Sequence, residues 1–389
     1  MRIALFSGNY NYLREGANQA LNLLVRHLES RCGHQVRIYS PVTTHPAFEP
    51  EGTLIPVRSV RLPIRDEFQL ALGLPRATRH DISAFAPDLI HVSTPDILGV
   101  RAQAFARRRN LPIVASLHTL FETYPAYYGM AWLTPLVEAH LRRFYRRSDH
   151  VLAPTPALVA QMKALRGDDR ASLWSRGIDC QLFSPARRDL DWRRAQGIGD
   201  DEVAVLFFGR LVLEKGVSTF VEVIRGLQRR GARLRPMLVG AGPALDAFRT
   251  LSGVVATGHL RDECLARAVA SADIMLTPST TETFGNVVLE AMASGLPVVS
   301  ADAPSARALI AHGRTGFLCP STDMEAYAEA IGSLAGSPAL RHEIGMAARE
   351  ASAAYTWNDA SASVERVYRH VVQAFGVRKV APSIVDSAP

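Results

Sequence analysis

At 389 residues the chain is too long for one hydrophobic core and calls for two domains of ordinary size. Its composition, 48% hydrophobic and 21% charged, lets both bury a core, and it holds no run of about 18 uninterrupted apolar residues that would span a bilayer. The 44 Lys and Arg against 37 Asp and Glu leave a formal charge of +7, while Cys32, Cys180, Cys264 and Cys319 form no Cys-x-x-Cys pair, which argues against zinc or a disulfide framework and for free buried thiols.

Met1-Arg2-Ile-Ala-Leu-Phe-Ser is too brief an apolar stretch for a secretion signal and reads as a buried first strand, so a cytoplasmic location is expected. Strand-like and helical segments then alternate: strands at 3–7, 36–41, 89–93 and 113–118, helices at 17–30 and 98–108. This is the pattern of a parallel sheet covered by helices, an α/β fold. After the first strand, Ser7-Gly-Asn-Tyr-Asn-Tyr-Leu-Arg-Glu-Gly16 leads into a helix whose first N–H groups can meet a phosphate, although the dinucleotide Gly-x-Gly-x-x-Gly spacing is missing; a plain turn glycine is the alternative for Gly16. His118 ends the strand Pro112-Ile-Val-Ala-Ser-Leu-His, a place where a histidine is more often a satisfied structural residue. Phe121, Tyr124, Tyr127, Tyr128 and Trp132 follow, either core aromatics or an apolar acceptor platform.

A polar stretch, residues 187–201, separates this half from a second run of strands near Val205, Met237, Val254, Ile274 and Val298, and places the domain boundary near Pro185. The apolar run Ala204-Val-Leu-Phe-Phe ends in Gly209-Arg210-Leu-Val-Leu-Glu-Lys215-Gly216 and passes into a helix over 217–229, a strand, loop and helix. Two cations on a glycine-bounded loop can reach one diphosphate, Arg210 as a flat fork and Lys215 as a point charge, and stabilise it as a leaving group; a surface salt bridge of Lys215 with Glu214 or a neighbour is the plain alternative. Glu282-Thr-Phe-Gly-Asn-Val-Val-Leu-Glu290 spans a glycine and the opening of a helix. A helix start carries unpaired N–H groups and about half a positive charge, so a phosphate can dock on Gly285, Asn286 and Val287. Glu282 can then accept from sugar hydroxyls, and Glu290, four residues after Asn286 on the same face, suits a ribose diol. Two solvated glutamates are the plain alternative.

These residues resemble the retaining nucleotide-sugar glycosyltransferases of family 4, and the likeness covers almost the whole chain. It rests on the Glu282 to Glu290 segment and its continuation Ala291-Met-Ala-Ser-Gly-Leu-Pro-Val-Val, on Gly209-Arg-Leu with Glu214-Lys-Gly, on Val239-Gly-Ala-Gly-Pro243, and on Gly258-His-Leu before a helix at Asp262. The resemblance implies the GT-B fold: two Rossmann-like domains with parallel sheets facing across an interdomain cleft. Residues 1–185 would bind the acceptor and 186–355 the donor, 356–377 would be a helix returning to the first domain, and 378–389 a flexible tail. Arg210 and Lys215 would bind the donor diphosphate, Glu282 the donor sugar and Glu290 the ribose. Gly240, the backbone near Gly258, His259 and Leu260, and Phe284 would complete the donor site. Gly16 would face the diphosphate, although many members carry a glycine pair where this chain has Glu15-Gly16. His118 would contact the donor sugar and shape an oxocarbenium-like transition state. Retention ordinarily uses a carboxylate nucleophile, and none stands out here. The resemblance therefore implies front-face substitution, with the departing phosphate deprotonating the acceptor hydroxyl.

UDP- and GDP-linked hexoses both fit as donors. No metal or other cofactor is expected, because Arg210, Lys215 and helix termini meet the diphosphate charge and no Asp-x-Asp triplet lies near the motifs. Cations gather at Arg58, Arg61, Arg65, Arg76 and Arg79, at Arg107, Arg108 and Arg109, and at Arg142, Arg143, Arg146 and Arg147. Solvated helix faces explain such runs, and so does an anionic inner leaflet, which would suit a lipid-linked acceptor. Nucleic acid is not expected, since no stacking or recognition motif accompanies the charge. The rival readings are a GT-B nucleotide-sugar epimerase, a non-catalytic sugar-nucleotide binding module, and a dinucleotide oxidoreductase. The last rests on Gly240-Ala-Gly242 alone, with Leu245 in place of a third glycine.

Overall fold

The computed structural model describes residues 1–13, 15–61, 69–127 and 129–380. The chain forms two compact units, one of Met1–Glu122 and Trp132–Ser175 with the chain from Trp357 onward, the other of Thr123–Ala131 and Arg176–Thr356.

In the first unit the described residues form a seven-stranded sheet in the order Thr53–Pro56, Gln35–Ser40, Arg2–Phe6, Leu89–Val92, Ile113–Ser116, His150–Ala153, Ala171–Leu173. Every neighbouring pair is parallel. Helices cover both faces, which is why the inner strands read as near-continuous apolar runs. Alternate side chains of the first strand divide between two cores: Ile3 and Leu5 pack with Leu21, Leu24, Val364 and Tyr368, while Ala4 and Phe6 pack with Ile90, Leu98 and Phe144. Thr53–Pro56 is the edge strand, a position that tolerates the proline's missing N–H. The helix Trp357–Val380 packs on the helix Gly16–Ser30 and runs three residues past the expected end at 377; of the expected tail, 381–389 lie outside the described residues.

The second unit holds a six-stranded parallel sheet ordered Val255–Ala256, Leu234–Val239, Val203–Phe208, Ile274–Thr277, Val298–Ala301, Gly316–Cys319. The helix Val217–Arg229 buries Val217, Phe220, Val221, Ile224 and Leu227, one apolar stripe at helical spacing. Phe207, Phe220 and Phe248 meet edge to face with ring centroids 5.0 to 5.6 Å apart, each pair adding about 0.5–1.5 kcal/mol beyond burial.

The division between units follows Ser175, ten residues ahead of Pro185. The polar stretch after Pro185 is not a solvated linker. Arg193, 2% exposed, donates to Ser271 O at 2.6 Å, Asp273 Oδ2 at 2.9 Å and Glu202 O at 3.0 Å, and Arg188 pairs with Asp273 Oδ1 at 2.5 Å. Those bonds fasten it to the start of Ile274–Thr277; truncating Asp273 would strand Arg193's buried charge at a cost of about 3–5 kcal/mol. The thiols also differ from expectation: Cys319 is buried, Cys32 and Cys180 are partly so, and Cys264 is exposed. No described helix is long and apolar enough to cross a membrane.

Each sheet reverses its strand order around its first strand. Arg2–Phe6 lies between Gln35–Ser40 and Leu89–Val92, and Val203–Phe208 between Leu234–Val239 and Ile274–Thr277. Ligands of open α/β sheets bind outside the carboxyl ends of strands at such reversals. The loops that follow, Ser7 to Gly16 and Gly209 to Gly216, occupy those two positions.

Candidate active site

In the second unit, three strand ends are tied together beyond the sheet. Gly209 N donates to Val239 O at 3.0 Å, Leu211 N to Ala241 O at 3.0 Å, and Gly240 N to Gly258 O at 2.9 Å. This closeness demands a glycine at 240, where a Cβ would fall 1.8 Å from Gly209 O and φ is +143°. Gly216 is required likewise: at φ +77° it begins the helix Val217–Arg229, and a Cβ there would lie 2.7 Å from Pro278 O. The Gly209 to Gly216 loop is thereby pressed against the segment after Ile274–Thr277. The Glu214 carbonyl accepts from Thr281 Oγ1 at 3.1 Å and Ser279 Oγ at 3.4 Å, which locks the two loops together.

Lys215 and Glu282 meet across that junction, Nζ to Oε1 at 2.5 Å, each side chain about one-fifth exposed (20% and 22%). Lys215 thus bonds not to Glu214, which is buried, but to the carboxylate expected to hold sugar hydroxyls. Arg210 is exposed on the same loop. Three residues after Glu282, Gly285 caps the helix Asn286–Ala293, which has no acidic residue in its first turn. Among the described residues the N–H groups of Asn286 and Val287 have no acceptor, as is usual at a helix start, which leaves them able to donate to an anion. Val287 stands beside the Arg210 loop, its Cγ1 3.9 Å from where a Gly209 Cβ would be. Phe284 is 4% exposed, its ring 6.0 Å from Tyr355, so its side chain anchors the turn and leaves only its backbone to a ligand. One turn along the helix, burial pushes the Glu290 carboxyl up to about 8. His259 is exposed and accepts from Arg261 Nε at 3.3 Å, while Leu260 packs partly into the core. Asp262 next to them takes φ +48°, a left-handed conformation that carried no sequence signal.

The first unit carries Gly16 and His118. Gly16 opens the helix Gly16–Ser30, but Glu15 caps it: the Glu15 side chain accepts from the backbone N–H of Asn18, the third helical residue, and Glu15 N donates to Asn18 Oδ1 at 2.9 Å. A carboxylate of this chain therefore already sits at the helix start expected to meet phosphate. His118 lies just past Ile113–Ser116. Its Nε2 is 2.8 Å from Ser116 Oγ, and its ring meets Trp174 edge to face at 5.2 Å. Ser116 and His118 share one face of the extended chain, which is the only sequence trace of this pairing.

The structure also gathers two arginine clusters that are separate in sequence. Arg76, Arg79, Arg101, Arg108 and Arg109 line a cavity of about 790 Å³ with Leu72 in its wall. Arg58, Arg61, Arg107, Arg142, Arg143 and Arg146 are exposed, and Arg147 is partly so. Arg65 and Tyr128 lie outside the described residues, as does the side chain of Tyr127. Phe121 and Tyr124 are half-buried, whereas Trp132 is 77% exposed. Elsewhere in this unit Cys32, His34 and Glu365 bring ligand atoms within 4.8 Å of one another. Arg369 pairs with Glu365 and the Met1 ammonium lies 3.2 Å from His34 Nδ1, so cations already occupy the groups a metal ion would need.

The profile described as Glycosyltransferase Family 4 matches residues 14–182, and that described as Glycosyl transferases group 1 matches residues 202–337. The sulfoquinovosyl transferase SQD2 of Arabidopsis thaliana is 32% identical over 377 residues, covering 93% of this chain and 72% of the relative. A GDP-mannose-dependent alpha-mannosyltransferase of Mycolicibacterium smegmatis is 34% identical over 367 residues, covering 92% and 94%. Among solved structures, sucrose-phosphate synthase from Thermosynechococcus elongatus matches with a TM-score of 0.79 at 21% identity, covering 96% of this chain and 99% of that one, a likeness of fold.

Proposed function

Because the chain belongs to the family 4 glycosyltransferases, with the GT-B fold, and is a hexosyltransferase, we propose that it moves a hexose from a UDP- or GDP-linked donor to a hydroxyl acceptor with retention of configuration. The observation that carries this reading is the Lys215–Glu282 pair at 2.5 Å, flanked by the Asn286–Ala293 helix start. A phosphate-type cation and a sugar-type carboxylate in contact fit the boundary between a diphosphate and the sugar attached to it.

In this reading the anomeric C–O bond breaks with its electron pair on the phosphate oxygen. Arg210, Lys215 and the N–H groups of Asn286 and Val287 meet the growing charge, an effect that favours the transition state over bound substrate. The acceptor hydroxyl attacks the same face and gives its proton to the departing oxygen, releasing nucleoside diphosphate. Glu282 holds the sugar hydroxyls, Glu290 the ribose, Gly240 and the backbone of Gly258 to Leu260 the rest of the nucleotide, and His118 assists at the sugar. The cations and amides supply the charge that a metal would otherwise bring, so turnover is expected to survive EDTA.

For the acceptor we propose a lipid or lipid-linked glycan at the inner face of an anionic membrane. Support comes from the arginine-lined cavity and from Trp132 and Leu136, 77% and 68% exposed, on the segment that also exposes Arg142, Arg143 and Arg146. The test is product analysis: transfer from UDP- and GDP-hexoses to acceptors in mixed vesicles, with the anomeric configuration read by proton NMR. An inverted product, or donor epimerised with no acceptor present, would overturn the proposal.

A further inference from the structure

We infer that Tyr368, His91 and Ser116 form a one-way hydrogen-bond chain that leaves His118 Nε2 as an acceptor and its proton on Nδ1, setting the tautomer that His118 brings to the transfer reaction. The inference rests on the role proposed above for His118; Tyr368, His91 and Ser116 are positioning residues.

The geometry is continuous. Tyr368 Oη lies 2.6 Å from His91 Nδ1, His91 Nε2 lies 2.8 Å from Ser116 Oγ, and Ser116 Oγ lies 2.8 Å from His118 Nε2. Tyr368 and His91 are fully buried and Ser116 is 1% exposed, so water does not complete their valences. Trp174 braces both imidazoles edge-on, at 6.1 Å from His91 and 5.2 Å from His118.

Counting hydrogens gives the direction. Burial depresses His91 to about 3, so it is neutral, with one N–H and one lone pair. Burial also raises Tyr368, which keeps its phenolic proton. If Tyr368 donates to His91 Nδ1, His91 Nε2–H must donate to Ser116 Oγ, and the Ser116 hydroxyl then donates to His118 Nε2. Each buried hydrogen finds an acceptor. Run the other way, His91 Nδ1–H would donate to Tyr368 Oη, whose own hydrogen has no other partner among the described residues, an arrangement that buried polar groups avoid. The chain begins on the helix Trp357–Val380, so the last helix sets the tautomer of a residue some 250 positions earlier, as the numbering gives it.

The experiment is imidazole nitrogen NMR on protein labelled with ¹⁵N-histidine, with the His118 signals identified by their loss in His118→Ala. Wild type is expected to show a protonated Nδ1 and a bare Nε2 at His118; a protonated Nε2 there would overturn the chain. Tyr368→Phe, which removes only the head donor, should mix the two His118 tautomers and lower kcat about tenfold with the donor KM little changed. Ser116→Ala should do the same and Ser116→Thr should restore it. If Tyr368→Phe does not fold, the wild-type spectrum alone decides. Full transferase activity in His118→Ala would instead sink the role of His118, leaving the measured tautomer standing, so the two failures are distinguishable.

Discussion

Both units place a glycine and a helix start just past the first strand of a sheet or its neighbour, yet the two starts differ in charge. In the second unit Gly285 opens Asn286–Ala293 with no carboxylate in the first turn, and the Val287 side chain lies beside the Arg210 loop. In the first unit Gly16 opens Gly16–Ser30 under the Glu15 carboxylate. A helix start is thus only a capacity to bind anions: the residue at its cap decides whether a ligand or the chain itself uses it. The first unit instead displays its excess cations on an open, arginine-lined cavity. In the proposed reading one unit takes a single diphosphate held in contact and the other a diffuse anionic surface.

The strongest test of this contrast removes the contact cations. Arg210→Ala with Lys215→Ala should reduce kcat on the order of 10³-fold, measured by nucleoside diphosphate release, because two donors to a developing oxyanion are lost. Intact turnover would refute the diphosphate site. The surface counterpart is Arg76, Arg79 and Arg108 all changed to Ser. With about 1 kcal/mol per basic side chain near anionic lipid, binding to phosphatidylserine vesicles should weaken roughly 100-fold, with turnover on a soluble acceptor unchanged. Absence of binding by the parent protein at low salt would remove the membrane half of the proposal. Asn286→Asp then gives the second unit the charge that Glu15 gives the first; repulsion of the donor diphosphate should raise its Kd about tenfold.

Glu290 sharpens the comparison through pH. Its carboxyl is raised to about 8 by burial, so the neutral form supports folding fully below the ordinary carboxyl range, and that contribution is lost as pH rises through about 8. A ribose diol donating to it needs the ionised form. Nucleotide binding at pH 7 should therefore release a proton, and affinity should rise roughly fiftyfold from pH 6 to 8, as the ionised fraction grows from about one in a hundred to about one half. Calorimetry in buffers of different ionisation enthalpy measures the release directly. Glu290→Gln should abolish it; persistence of the release in that variant would place the proton elsewhere.

Much of the fold was legible because strands buried on both faces leave unbroken apolar runs, such as Leu89–Val92 and Ile113–Ser116. The second unit's candidate loops were legible for a related reason: Gly209 to Gly216 and Glu282 to Glu290 are short segments at strand ends, and the structure brings them together. What escaped was chemistry assembled by tertiary contact. Tyr368 and His91 are 277 positions apart, and no local pattern joins them. The burial of Arg193 against Asp273 likewise joins positions 80 apart that no local pattern connects. Glu15 was visible as a departure from a glycine pair, but its side chain's place over the helix start was not.

Glu15→Gln is the smallest of these perturbations and the most direct test of what that departure does. Glutamine keeps an oxygen for the Asn18 amide and removes the charge, so the cap survives while its interaction with the helix dipole is lost. Stability should fall by about 0.3–1 kcal/mol, read from urea unfolding. If phosphate reaches Gly16 during turnover, the donor KM should also drop, about two- to threefold at low ionic strength, because a competing carboxylate has been neutralised. The two readouts separate the helix from the ligand. Loss of stability with KM unmoved would make Gly16 a structural start of its helix and leave the diphosphate wholly to the Arg210 loop and the amides after Gly285.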